Sequence, residues 1–163
     1  RDGEIDEGGL AHDSRSDRYR TPFGAVPAGT AVTLRLRATA GDLTEATVRV
    51  WDQLEEFQAL IPMEIVASDR TQGEHGYDYW QATIRTSARP TVLWYRFIVT
   101  DGTDTDYYAD DTAALDGGLG APTDEVVDAS WALMLFEPGF AAPAWAIWAH
   151  WVSFSAFGGR ATT

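Results

Sequence analysis

The stretch Pro90 to Asp111, PTVLWYRFIVTDGTDTDYYADD, constrains the fold more than any other part of the chain. Its first half alternates. Leu93, Tyr95, Phe97 and Val99 fall on one side of an extended chain, and Val92, Trp94, Arg96 and Ile98 on the other. Asp101-Gly102 predicts a tight hairpin, because glycine takes the positive φ such turns need. Two tyrosines, Tyr107 and Tyr108, follow. The segment therefore reads as a β-hairpin with one face in a core and aromatic side chains left on the other.

The same period recurs. Ala31 to Ala38 turns Val32, Leu34 and Leu36 inward and Thr33, Arg35 and Arg37 outward. Ala46 to Asp52 turns Val48 and Val50 inward and Arg49 and Trp51 outward. In Tyr77 to Thr86, Trp80, Ala82 and Ile84 form the inner set and Tyr77, Tyr79 and Gln81 the outer. Gln58 to Ala67 is a third candidate strand, with Pro62 assigning it to an edge or a bulge. Ser130 to Phe136 is the last. No 3.6-residue period appears before Ala141. Short alternating strands between Gly, Asp and Pro turns predict an all-β, immunoglobulin-like antiparallel sandwich. Residues 1–18 read as an extended, polar lead-in, 19–140 as the sandwich and 141–163 as a linker or aberrant tail. Residues 112–129 read as one long, glycine-rich loop.

Composition narrows the function. The 163 residues carry a net charge of -13, and all 12 basic residues are arginine. Such an acidic chain repels phosphate backbones, so nucleic acid is not an expected partner. The absence of cysteine removes disulfides and thiolate chemistry. No apolar run reaches the roughly 18 residues of a membrane span. The chain opens on Arg1, which leads us to expect a processed or truncated product.

Several motifs then occur in a recognisable order. HDSRSDRYRTPFGAVPAGTAVTLRLRA (His12 to Ala38) is followed by TVRVWD, YDYWQATI, WYRFIVTDGTDTDYYADD, GGLG and SWALMLFEPGFAAPAW (Ser130 to Trp145). Over roughly residues 8 to 145 this resembles the N-terminal domain of amylopullulanases and neopullulanases of glycoside hydrolase family 13. The resemblance implies an immunoglobulin-like sandwich, related to carbohydrate-binding module family 34, ahead of a (β/α)8 catalytic barrel. It also implies secretion, an α-glucan partner such as starch or pullulan, and contact with that barrel. After Trp145 the family pattern stops. AIWAHWVSFSAFGGRATT contains none of the barrel's catalytic motifs, so no catalysis is expected of this chain by itself.

The candidate sugar-binding residues are the outward aromatics Trp51, Tyr79 and Trp94, with Arg49, Gln81 and Arg96 as hydrogen-bonding neighbours. Indole and phenol rings pack against the flat C–H faces of sugars, and their rigidity limits the entropy lost on binding. Two other readings stay open for the same face: docking against the barrel, or a place in the core. Trp80, Tyr95, Phe97 and Trp131 read as core. No cofactor is expected. Asp101, Asp104 and Asp106, with Asp110 and Asp111, supply oxygens suited to calcium, but without the spacing of an EF-hand loop. His12, His75 and His150 stand singly in polar or tail contexts. Trp145, Trp148, Trp151, Phe154 and Phe157 give the tail an apolar stripe without the basic face of a membrane-surface helix.

Overall fold

The computed structural model describes residues 3–111, 117–127 and 129–139. They contain a short 3-10 turn (Glu7–Gly9) and the strands β1 (Arg20–Thr21), β2 (Val26–Pro27), β3 (Ala31–Thr39), β4 (Glu45–Asp52), β5 (Phe57–Pro62) and β6 (Glu64–Asp69). After these come β7 (Tyr77–Arg85), β8 (Thr91–Asp101), β9 (Asp104–Asp110), β10 (Gly120–Thr123) and β11 (Trp131–Phe136). Two sheets pack face to face, as the alternation predicts. One has the order β1-β3-β7-β6. The other is built around β8.

Strand β8 is long enough to serve three neighbours. β4 lies along one edge from Leu93 to Thr100. The other edge is divided, with β9 pairing Phe97–Asp101 and β11 pairing Thr91–Tyr95. β5 extends the sheet beyond β4, β10 beyond β9, and β2 runs parallel to β11. Asp101 pairs with Asp104, so Gly102-Thr103 is the tight turn, and Gly102 has φ 63°.

The inner faces match the predicted sets. Val32, Leu34 and Leu36 from β3 are fully buried, as are Val48, Tyr95, Phe97, Val99 and Trp131. Each such aliphatic side chain contributes about 1.5–3 kcal/mol by leaving water. The segment expected as one strand over 58–67 is two edge strands. The chain crosses between the sheets at buried Met63, so β5 closes one sheet and β6 the other.

Two stretches differ from the sequence reading. Part of the expected 112–129 loop is strand β10, which pairs with β9 from Gly120 to Thr123. Gly120 fits there because a Cβ would meet Trp131 Cζ2 at 2.5 Å and the Ala109 carbonyl oxygen at 2.6 Å. The polar start of the chain also enters the sandwich. Ile5 and Leu10 join the core, and Leu10, His12 and Ser14 are buried in alternation with Ala11 and Asp13. Isolated bridges from Ala11 to Arg37 and from Asp13 to Leu119 hold this segment in place.

His12, expected in a polar setting, has no exposed surface. Its ring lies 4.6 Å from Trp131, 4.8 Å from Phe97 and 5.5 Å from Tyr95, centroid to centroid. Burial pushes the Tyr95 phenol up to about 12, so it keeps its proton. The two hydrogen bonds then define the tautomer. Nδ1–H donates to the Arg35 carbonyl at 2.7 Å, and Nε2 accepts from the Tyr95 hydroxyl at 2.9 Å. Burial, aided by the charge of Arg20, lowers the His12 pKa to about 3 against the opposing pull of the Arg35 bond. Arg20 is buried beside it and donates to the carbonyls of Ala132 and Gly24.

Candidate carbohydrate-binding face

The outer face of the β8 sheet carries the leading candidates. The antiparallel register of β4 and β8 sets Trp51 opposite Trp94 and Arg49 opposite Arg96. Directly opposed residues have Cβ atoms roughly 5 Å apart, so the two indoles are neighbours on one surface. Both are half-buried. Trp94 Nε1 donates to Gln53 Oε1 at 2.8 Å. Next to Trp51, β5 contributes Gln58 in the same row and exposed Leu60 opposite Arg49. Arg49 Nε donates to Gln58 Oε1 at 3.0 Å. The face therefore combines flat apolar surface with amide groups.

The other two predicted members are placed differently. Tyr79 points outward, but from β7, in the opposite sheet. It is only 5% exposed. Arg18 covers it, donating from Nη2 to the phenol oxygen at 2.8 Å with its guanidinium 5.2 Å from the ring centroid. Tyr79 thus forms no platform with the two tryptophans. Gln81 is on that second sheet too, where its side-chain oxygen accepts from Arg35. Arg96 stands on the expected face but is 8% exposed. It donates to the backbone carbonyls of Val127 at 2.8 Å and Glu125 at 3.0 Å, with Asp124 at 3.5 Å. Its guanidinium also lies 5.1 Å from the Tyr107 ring centroid. Arg96 therefore grips the protein's own loop.

The acidic hairpin has a structural task. Asp101 accepts from the Gly3 amide and Asp104 from the Ile5 amide, each at 3.0 Å. These two calcium candidates fasten the first residues to the sandwich. Burial, then the nearby charges of Glu7 and Asp104, push Asp106 up to about 6. Among the described residues no three His, Cys, Asp or Glu side chains come together as a metal site. His75 is exposed, 3.3 Å from Glu74. His150 and the tail aromatics lie outside the described residues, as does the proposed 141–163 linker.

Gln53, Gln58 and Leu60 are part of this face without having been singled out in the sequence. Gln58 and Leu60 alternate on β5, but the turn that pairs β5 with β4 has no glycine or proline to announce it. Glu56 takes the positive φ, 52°, in that turn.

Residues 18–119 match the model of the alpha amylase N-terminal ig-like domain. The chain belongs to this family. It is 35% identical over 136 residues to an amylopullulanase of Thermoanaerobacterium saccharolyticum, covering 83% of this chain and 10% of the relative. An amylopullulanase of Thermoanaerobacter thermohydrosulfuricus is 34% identical over 137 residues, covering 83% of this chain and 9% of the relative. The chain thus spans about a tenth of the length of these relatives. A cyclomaltodextrinase structure superposes with a TM-score of 0.56 at 21% identity, over 85% of this chain and 21% of that one. That likeness concerns the fold. The part of these relatives that the chain matches is their N-terminal ig-like domain. No helix among the described residues is long and apolar enough to cross a membrane.

Proposed function

We propose that this domain is a non-catalytic α-glucan-binding module carried at the front of a secreted, amylopullulanase-type glycoside hydrolase. It holds starch or pullulan-like chains close to the enzyme's barrel. The observation that carries the reading is the cross-strand pair Trp51 and Trp94, partly buried on the outer face of a sheet. Adjacent sugar rings of one chain can rest on two neighbouring indoles, while Gln53, Gln58 and Arg49 lie within reach of hydroxyls. The relatives' names, which refer to pullulan and cyclomaltodextrin, agree with an α-glucan ligand.

Partition onto insoluble starch, with maltoheptaose as competitor, tests this. Trp51→Ala and Trp94→Ala should each weaken retention by about 1–2 kcal/mol, the worth of a stacked aromatic contact. Retention equal to the parent in both variants would remove the tryptophans from the site.

A second reading rests on a separate observation. Five exposed large apolar side chains, Leu54, Phe57, Leu60, Ile65 and Val66, fall within thirteen consecutive positions over the β4–β5 turn, β5 and β6. A strip of that kind suits a contact with another domain. In that reading the sandwich buttresses the barrel or a dimer partner and binds no sugar. The starch experiment separates the two.

A further inference from the structure

A sheet edge invites a further strand unless it is short, charged, bulged or interrupted by proline. Among the described residues the edge strands are β1, β2, β5, β6 and β10. β1 and β2 have two residues each. β10 has four and includes Pro122. β6 carries Glu64 and Asp69, and its register shifts between Ile65 and Ala67. β5 has none of these devices from Phe57 to Ile61. That segment, FQALI, is uncharged and pairs with β4 without a register shift, in a chain whose net charge is -13.

The phase of the hydrogen bonds shows which groups β5 offers. The Met63 amide donates to the Ala46 carbonyl at 2.9 Å, one step beyond the Thr47–Pro62 pair. Bonded and non-bonded pairs alternate in an antiparallel ladder. Phe57, Ala59 and Ile61 therefore bond to Asp52, Val50 and Val48, while the amides and carbonyls of Gln58 and Leu60 point away from β4. Gln53 agrees from the other side of β4, since its amide donates to the Val92 carbonyl of β8. Pro62 also falls in the outward phase, where its missing N–H takes nothing from the β4 ladder. Gln58 is exposed, and so are Leu60 and Phe57.

Outward groups in this phase accept an antiparallel strand, and β5 itself is the strand that fits. With a twofold axis at Ala59, Gln58 of each copy stands opposite Leu60 of the other, and each outward amide meets an outward carbonyl. Phe57 stands opposite Ile61 of the second copy, and Ala59 opposite Ala59. No two charges meet from Phe57 to Ile61. A slip by one residue would set outward groups against inward ones, so the register is defined.

We propose that β5 is a pairing edge for a second copy of this chain, joined antiparallel through Phe57–Ile61 into one continuous sheet. The contact is isologous, so it closes at two copies. Edge pairing covers neither outer face of the sandwich. It therefore holds whether or not the tryptophan face binds glucan, and it shares with the buttress reading only the exposed residues of β5.

The test uses the full 163-residue chain at about 0.15 M salt, which screens the acidic surface. A seam this short lies at the small end of specific interfaces, so a dissociation constant on the order of 0.1–1 mM is expected. Sedimentation equilibrium should show monomer near 10 µM and dimer near 1 mM, each figure set by about that constant. Between those two concentrations hydrogen exchange at the Gln58 and Leu60 amides should slow about two- to fivefold, while the β4-bonded amides of Ala59 and Ile61 stay protected at both. Leu60→Glu places a carboxylate opposite Arg49 within its own sheet and a like-charged pair at the seam, and it should stay monomeric. Leu54→Glu adds the same charge outside the seam and should dimerise like the parent. A parent that is monomeric at about 1 mM, the weak end of that range, overturns the pairing and leaves the glucan and buttress readings standing. A dimer with unslowed exchange at Gln58 and Leu60 associates through another part of the chain and overturns it too. So does a Leu60→Glu variant that dimerises like the parent, or a Leu54→Glu variant that is equally monomeric.

Discussion

Acid should weaken this domain through one buried ring. His12 is neutral in the folded state, with its pKa held near 3 by burial. In the unfolded chain it returns to about 6.5. Between those values the unfolded state binds one proton that the folded state refuses. The stability conferred by the neutral ring is therefore complete above about pH 6.5 and drains as pH falls toward 3. One proton corresponds to about 1.4 kcal/mol per pH unit. From pH 6.5 to 4.5 the loss is about 2–3 kcal/mol, a sizeable share of the roughly 5–15 kcal/mol that holds a domain together. His12→Phe isolates the effect. A phenyl ring suits the cage of Phe97, Tyr95 and Trp131 but cannot titrate. At pH 7.5 the variant should be less stable than the parent by about 1–3 kcal/mol, because the Tyr95 hydroxyl and the Arg35 carbonyl lose their partner. The gap should close as pH falls to 4.5. At Asp52 and Asp78 burial pushes upward, yet hydrogen bonds outweigh it and hold both carboxyls low. They titrate alike in both proteins, so their effect cancels in the difference. Urea unfolding at pH 7.5, 6.5, 5.5 and 4.5 measures it. Parallel stability curves for parent and variant would refute a buried neutral imidazole.

Other outcomes follow from the packing. Leu34→Ala, at a fully buried position in β3, should cost about 2–5 kcal/mol in urea unfolding. Gly120→Ala should destabilise by about 1–3 kcal/mol, because the added methyl collides with Trp131 and the Ala109 carbonyl; a neutral melt would mean that β10 shifts freely. Trp51→Ala and Trp94→Ala should lower the melting temperature less than Leu34→Ala, since both rings are partly buried rather than in the core, and a loss of binding larger than that change belongs to the site. The purified chain should release no reducing ends from starch or pullulan, and turnover that follows the 17.9 kDa species through repurification would contradict the non-catalytic assignment.

Much of this fold is legible because a strand's side-chain period is two residues. Val32, Leu34 and Leu36 declare their face without any knowledge of the partner sheet, and so do Leu93, Tyr95, Phe97 and Val99. What sequence conceals depends on residues far away in the chain. Tyr79 has the outward position its alternation predicts, yet Arg18, 61 residues earlier, covers it. Arg96 likewise faces outward, and a loop about 30 residues later buries it. His12 looks solvated among Asp13, Ser14 and Arg15 because the aromatic cage that encloses it comes from β8 and β11. Strand β10 is hidden by its own composition, since Gly120 and Pro122 read as loop residues although the segment pairs with β9. The tryptophan pair was readable in part. Each indole's face follows from its own strand, but their opposition across β4 and β8 is a matter of register, which no single strand specifies.

The central claim is that the Trp51–Trp94 face holds an α-glucan, and tryptophan fluorescence of the intact chain tests it most directly. Maltoheptaose titrated into the parent should give a saturable change, abolished or strongly weakened in a Trp51→Ala/Trp94→Ala variant and absent with cellohexaose. No saturable change with maltoheptaose, or an equal response in the double variant, would contradict it.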